Sequence, residues 1–272
     1  MYRYIREAIF KIKTLSPPLP RKWGGRPCGE KVKKTNNKHP AWLSPSTGEM
    51  SEGQRRSNSI TMIYEDGIKV IVADASHEKY VDLVLDTIRE AAKKRGTGIA
   101  ERTHEYVATK MKEGKAVLAL DPSKQSELGD TFVGFSYIET WGNKSYVTTS
   151  GLIVHPDYQG RNIAKRIKDH TFTLARVRWP HAKIFSLTSG DAVMKMNTAL
   201  GYVPVSFNQL TDDDAFWRGC RGCVNHPILE MKERKFCICT GMLYDPAEHK
   251  GEPTPIEIFQ EIMKEMVKRG LM

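Results

Sequence analysis

Residues 151–176, GLIVHPDYQGRNIAKRIKDHTFTLAR, run from an apolar, β-branched stretch into a basic one. Leu152, Ile153 and Val154 read as a buried strand, and from Asn162 onward Ile163, Ile167, Leu174 and Ala175 recur at helical spacing. A strand that enters a helix through small and polar residues leaves backbone N–H groups unpaired at the helix N-terminus, where the helix dipole also favours negative charge. Gln159-Gly160-Arg161-Asn162 is therefore a candidate anion site, suited to a phosphate or a pyrophosphate. Gly160 lets a ligand approach the backbone, Asn162 tolerates a left-handed conformation, and Arg161, Lys165 and Arg166 add positive charge. The same residues also suit an ordinary strand–turn–helix connection with a solvated basic face.

A second group with chemistry in it is Cys220-Arg-Gly-Cys223 followed by Cys237-Ile-Cys239. A C-x-x-C turn offers two thiolates to one ion, and a later pair can complete a tetrahedral structural zinc site. The later pair is C-x-C, on what reads as a strand, where alternate residues share a face. The other reading is that these are small buried hydrophobes, with Cys237 and Cys239 in the core.

The elements that would position these groups follow from periodicity. IKVIVAD (68–74) is a strand, and Val81, Val84, Leu85 and Ile88 give the next helix one apolar face, with Gly96 as its stop. GIAERTHEYVATKMKEG reads as a second helix, KAVLALD as a strand and DPSKQSELGD as a polar loop. Two long strands, 131–141 and 144–154, flank a hairpin turn at Trp141-Gly-Asn-Lys. After the basic helix come a strand (AKIFSLTS), a helix (DAVMKMNTALG), a strand (YVPVSF) and, beyond the cysteine-rich stretch 212–240, a strand KFCICTGMLY. The order is β-α-α-β-β-β-α-β-α-β, a mixed α/β domain over residues 62–245.

The net charge of +10 could suggest nucleic acid, but residues 1–61 carry +9 of it and residues 62–272 only +1. The excess describes a tail rather than a binding face, and neither nucleic acid nor a membrane is expected as a partner. Residues 1–61 are rich in Pro, Gly, Ser, Lys and Arg and read as a disordered basic extension upstream of a functional start at Met62. Their first fifteen residues could form a basic amphipathic helix, although Glu7 and the lack of a cleavage pattern argue against a targeting role. No apolar run is long enough to span a bilayer. Five cysteines without a secretion signal point to a reducing, cytoplasmic setting. Residues 246–272 read as a C-terminal helix opened by a capping box, Thr254 with Glu257.

The stretch V-H-P-D-Y-Q-G-R-N-I-A resembles the pyrophosphate-binding motif Q/R-x-x-G-x-G/A of the GCN5-related N-acetyltransferase (GNAT) superfamily. Here it stands as Gln159-x-x-Asn162-x-Ala164, with Asn where Gly is commoner, and Val154-x-Pro156 matches the usual lead-in. The resemblance covers residues 67–207. It implies the GNAT fold, a mixed central sheet flanked by helices, and an acyl-CoA donor lying where two neighbouring strands splay. The pantetheine would pair with the backbone of Ile153, Val154 and His155, and the pyrophosphate with the N–H groups of Gln159, Gly160, Arg161, Asn162, Ile163 and Ala164.

Acyl transfer from a thioester to an amine needs a neutral amine, an oxyanion stabiliser and a proton for the leaving thiolate. The resemblance places the superfamily's usual Glu at Thr148 and its Tyr acid at Asn197, so both familiar acid/base residues are replaced. Glu139 and Glu101 remain as base candidates acting through water, with Thr148, Thr149 and Ser150 able to order it. Arg95 and Arg102 lie where the superfamily builds acceptor pockets, and arginine grips carboxylates bidentately.

More locally, RGTGIAERTHEYVATKM, KIFSLTSGDAVMKMNTALGYVPV and LTDDDAFWRGCRGC resemble a bacterial GNAT subfamily associated with arginine biosynthesis and proposed to make N-acylglutamates. That implies acetyl-CoA or succinyl-CoA as donor and a small-molecule acceptor; a homodimer stays open, since the sequence does not decide the oligomeric state. The alternatives are acylation of a protein lysine or another amine, and a non-catalytic acyl-CoA-binding module.

Overall fold

In the computed structural model, residues 61–96 and 99–254 are described, with Glu257 and Gln260. The extension expected over residues 1–61, apart from Thr61, which is in a strand, and most of the C-terminal helix lie outside them. At the start of that helix the expected capping box is in place. The Thr254 N–H donates to the Glu257 carboxylate at 2.6 Å, and the Glu257 N–H donates to Thr254 Oγ1 at 3.2 Å.

The β-branched and aromatic runs form a single eight-stranded sheet in the order β1-β2-β3-β4-β5-β6-β8-β7. Its strands are β1 (Thr61–Ile63), β2 (Lys69–Val72), β3 (Ala116–Ser126), β4 (Gly129–Trp141), β5 (Tyr146–Val154), β6 (Lys183–Thr188), β7 (Val203–Val205) and β8 (Thr240–Tyr244). All neighbours pair antiparallel except β5 and β6, which are parallel. That one parallel step needs a crossover helix, and α3 (Ile163–Arg178) supplies it. The other helices are α1 (Val81–Arg95), α2 (His104–Lys112), α4 (Asp191–Ala199), α5 (Asp214–Arg218) and α6 (His226–Met231). Among the described residues no helix is long and apolar enough to cross a membrane. The mixed α/β class is the one expected, and the expected order is kept, with β1, α5 and α6 added to it.

Two segments differ from expectation. DPSKQSELGD is not a loop: β3 and β4 extend through it to a tight hairpin closed by Ser126 opposite Gly129. Both faces of this ribbon meet solvent, so it carries no apolar alternation for a sequence reading to find. KFCICTGMLY keeps only its last five residues as β8, and Cys237 and Cys239 precede the strand.

The fully buried run Ala116–Leu120 is covered on both faces. On one face Val81, Val84 and Ile88 of α1 and Val107 and Met111 of α2 pack with Leu118, Leu120, Phe135 and Tyr137. Helix α3 packs across β3, β4 and β5. A second apolar cluster joins Phe185, Phe207, Trp217, Leu229 and Leu243 under the cysteine-rich segment.

A register shift in the β4–β5 pair shapes the centre of the sheet. Phe135 faces Ile153, and the next pair is Tyr137 with Ser150, so β5 carries one extra residue. Gly151 in this bulge has φ +66°, and a Cβ there would stand 2.7 Å from the Tyr137 ring. Conformation and space both demand glycine. Gly151→Val should therefore lower the unfolding free energy by about 2 kcal/mol or more, which chemical denaturation reads directly.

Candidate functional site

The strand–turn–helix junction has the geometry its residues suggest. His155 leads into one 3-10 turn (Pro156–Tyr158), Gly160 has φ +77°, and Asn162 sits left-handed at φ 59° before α3 begins at Ile163. No side chain caps the first turn of α3. A Cβ on Gly160 would meet nothing within 4 Å, so the turn is open toward an incoming ligand. The turn is anchored by a residue the sequence reading missed. The Tyr158 hydroxyl donates to Asp121 Oδ2 at 2.8 Å, tying the turn to β3. Burial, reinforced by this bond, pushes the Tyr158 hydroxyl up to about 12. Against burial, the bonds from Ser123 and Tyr158 hold the Asp121 carboxyl below its ordinary value.

The cations expected to serve phosphates are shared with carboxylates. Arg166 and Arg161 stand 2.7 and 3.6 Å from Asp66, and Lys165 stands 2.7 Å from Asp169. The backbone is more available. The His155 N–H donates to Val133 O across to β4 at 2.8 Å, so alternation turns the backbone groups of Val154 toward the β6 side. The Val154 carbonyl accepts from Gln159 Nε2 at 3.2 Å.

Beside this edge the sheet opens. β5 and β6 pair only over Tyr146–Lys183, Val147–Ile184 and Thr148–Phe185. Beyond that point β6 continues against β8 as far as Thr188 opposite Thr240, and β5 continues against β4 to Val154. The two parallel strands are therefore unpaired with each other beyond Thr148 and Phe185, and the turn into α3 follows the end of β5.

The acid/base candidates are not brought together. Glu139 is buried and receives hydrogen bonds from Lys110, from Lys115 at 2.9 Å and from the Thr140 N–H at 2.8 Å. Burial alone would push its carboxyl up, but these donors outweigh that and hold it below the usual glutamate range. A carboxylate tied to two ammonium groups is a poor proton acceptor, so Glu139 stands as the anchor of an ion-pair network. Glu101 is exposed, ahead of α2, with its N–H 3.4 Å from the Gly222 carbonyl. Asn197 is fully buried on α4, its Nδ2 donating to Ser186 Oγ at 3.3 Å. Thr148 and Thr149 are both buried and take opposite faces of β5. Thr148 Oγ1 accepts from Trp141 Nε1 at 2.9 Å, and Thr149 Oγ1 accepts from Lys168 Nζ at 2.6 Å.

On the acceptor side, Arg102 Nε donates to the Tyr137 hydroxyl at 2.7 Å and Nη1 to the Glu101 carbonyl at 2.8 Å. The Tyr106 ring centroid lies 5.9 Å from the guanidinium and 4.5 Å from Lys110 Nζ. No carboxylate pairs with Arg102 among the described residues. The helix expected over GIAERTHEYVATKMKEG (98–114) starts only at His104, because Thr103 is the cap: its Oγ1 accepts from the Tyr106 N–H at 3.2 Å. Arg95 is the last residue of α1, and its side chain lies outside the described set. Tyr106, Tyr137 and Lys110 were not singled out from the sequence. The signal was present in the i, i+4 pair Tyr106–Lys110 and in the alternation of Phe135 with Tyr137.

Cys220, Cys223, Cys237 and Cys239 line one cavity of about 30 Å³ with Leu187 and Phe207. Among the described residues, however, no three Cys, His, Asp or Glu side chains are disposed to hold a metal ion. The C-x-C pair is also not on a strand, so the alternation argument for it fails. Burial, then the neighbouring cysteines, push the Cys220 thiol up to about 11 and the Cys239 thiol up to about 12. Cys237 is buried, as the alternative reading has it, while Cys220, Cys223 and Cys239 are half-buried.

No protein-family profile and no curated protein matches the sequence. Among solved structures the chain is similar to N-acetylglutamate synthase from Neisseria gonorrhoeae complexed with coenzyme A and N-acetylglutamate. The identity is 12% and the TM-score 0.44, over 65% of this chain and 35% of that one. The chain thus spans about a third of that enzyme's length. It is also similar to Rv2747 from Mycobacterium tuberculosis in complex with CoA (17% identity, TM-score 0.43, 65% of this chain and 98% of that one). A GNAT-superfamily phosphinothricin acetyltransferase from Sinorhizobium meliloti in complex with AcCoA matches at 14% identity and TM-score 0.42, over 65% of this chain and 88% of that one.

The Glu139 network gives a test of structure against chemistry. Its depressed carboxyl contributes stability that is present above the unfolded glutamate pKa and lost as the pH falls through the lower folded value. Glu139→Gln leaves the buried Lys110 ammonium short of its carboxylate, while the half-buried Lys115 keeps Glu113, and should cost about 3 kcal/mol or more at neutral pH. The loss should shrink in acid, as denaturation curves at several pH values would show.

Proposed function

We propose that the chain is an acyl-CoA-dependent N-acyltransferase acting on a small anionic amino acid, with glutamate as the acceptor of choice. The observation that carries this reading is the end of the β5–β6 pairing, followed by the open, left-handed turn into α3. An extended pantetheine can bond to the β5 edge at Val154 while a pyrophosphate meets the N–H groups at the α3 N-terminus. The likeness to proteins solved with CoA or AcCoA agrees with the resemblance of Gln159–Ala164 to the superfamily motif.

For the acceptor, the support is Arg102. A partly buried guanidinium without a carboxylate partner is an uncompensated cation, which an acceptor carboxylate would satisfy. Tyr137 and Tyr106 hold its orientation, so the entropy of ordering a long side chain is already spent. Acetyl-CoA and succinyl-CoA both suit the β5 edge as donors, in the reducing cytoplasm that the unpaired thiols favour. One second reading has an observation behind it. Glu139 is tied to lysines and Asn197 is buried, which favours an acyl-CoA-binding module without turnover.

Thiol release with amino acids, amines and lysine peptides against both donors separates these readings. Acyl-CoA binding with no release for any acceptor would leave the binding module standing. Gly160→Val should weaken acyl-CoA binding about tenfold or more in a folded protein, a loss of about 1.4 kcal/mol at least, by calorimetry. Arg102→Ala should raise the acceptor KM roughly ten- to a hundredfold with the CoA KM nearly unchanged. Wild-type kinetics of that variant with every acidic acceptor would sink the carboxylate pocket.

A further inference from the structure

Lys168 is the most deeply buried charged side chain near the parting of β5 and β6, at 2% exposure. It rises from the second turn of α3, and its Nζ donates to Thr149 Oγ1 at 2.6 Å. Thr149 is the first residue of β5 beyond the last pair with β6, so its hydroxyl lies where the two strands part. The groups around the amine are few. The Tyr202 ring centroid lies 5.0 Å from Nζ, its hydroxyl lies beside Thr149, and the carboxylate that acts on the amine, Asp169 on α3 itself, is paired with Lys165. Lys168 is thus a buried amine with no carboxylate of its own, which costs folding free energy that a methionine of similar length would not. The opposite face of β5 offers no rival, since Thr148 is engaged by Trp141.

We infer that Lys168 supplies, through the Thr149 hydroxyl, the proton taken up by the thiolate that leaves the donor; this rests on the acyl-transfer reading above. The acceptor nitrogen forms the new bond to the thioester carbonyl carbon, and the carbon–sulfur bond breaks with its electron pair on sulfur. The sulfur takes the Thr149 hydroxyl proton while the Lys168 ammonium passes one to the same oxygen. The proton lost by the acceptor nitrogen goes to water, and water later recharges Lys168. Product is one amide and one free thiol. The residue acts through Thr149, so it is a positioning and proton-holding group and not one that touches the substrate. Burial lowers the amine's pKa to about 7, against a weak opposing pull from Asp169, so it can give up a proton near neutrality.

Lys168→Met in the full chain tests this, with acetyl-CoA and glutamate as probes. The variant should lose kcat about tenfold or more while the acetyl-CoA KM stays within about twofold. The ionisation near neutral pH should vanish from its kcat profile, and Thr149→Val should do the same. An unchanged kcat, or a lower kcat with the profile intact, overturns the inference, the second outcome meaning a packing role. Stability gives a readout that needs no turnover. The folded amine titrates below the ordinary lysine value, so the wild type is penalised in acid and relieved as the pH rises. Lys168→Met should melt above wild type near about pH 6, with the gap closing toward about pH 10. A gap that ignores pH removes the buried, readily deprotonated amine. A wild type that binds acetyl-CoA yet releases no thiol with any acceptor removes the acyl-transfer reading itself, and this inference with it.

Discussion

The parallel pairing of β5 with β6 lasts three residues, and the end of that pairing is the constraint on which the site depends. Buried backbone donors and acceptors need partners, so a strand that parts from its neighbour must find another one. β6 finds β8, and β5 keeps β4 on one side only. The edge left over at Val154 can accept an extended ligand in place of a strand. The bulge at Gly151 sits in the same stretch and changes the course of β5 where it leaves its partner. The crossover helix α3 follows the end of β5 because a parallel connection has to cross over the sheet.

Buried charge is handled in three ways around this opening. Glu139 with Lys110 and Lys115 is neutralised and hydrogen-bonded, which makes it structural. Arg102 is oriented by tyrosines but has no opposite charge, which leaves it able to bind one. Lys168 has only a hydroxyl and an aromatic face, which leaves it able to lose its proton. The three differ in their partners more than in their burial, and their partners come from elements far apart in the chain. This explains why Glu139, the carboxylate that looked best placed by strand position, is the one least free to act.

In the cysteine-rich segment, spacing and backbone point different ways. Spacing alone pairs C-x-x-C with C-x-C, and the four side chains do share one small cavity. The later pair lies on irregular backbone, however, and the segment uses its cysteines together with Phe207, Trp217 and Leu229 to cover the outer strands. The Gly222 carbonyl reaches the Glu101 N–H, joining this segment to the loop that carries Arg102.

Local chemistry was legible in the sequence. The left-handed Asn162, the open Gly160, the hairpin at 142–145, the capping box at Thr254 and the periodic helices α1, α3 and α4 follow from interactions within a few residues. Those interactions are written in the chain itself. The solvated β3–β4 ribbon, the placement of β8 between β6 and β7, the extra residue at Gly151 and the company kept by Glu139, Arg102 and Lys168 were not legible. Each is fixed by contacts between residues tens of positions apart, where burial and the choice of partner decide what a residue type can do. The sequence by itself determined the open strand–turn–helix junction at Gly160–Asn162 and the mixed α/β order. Only the tertiary structure decided which buried charges are neutralised and which stay free, because electrostatic free energy depends on neighbours that no local spacing encodes.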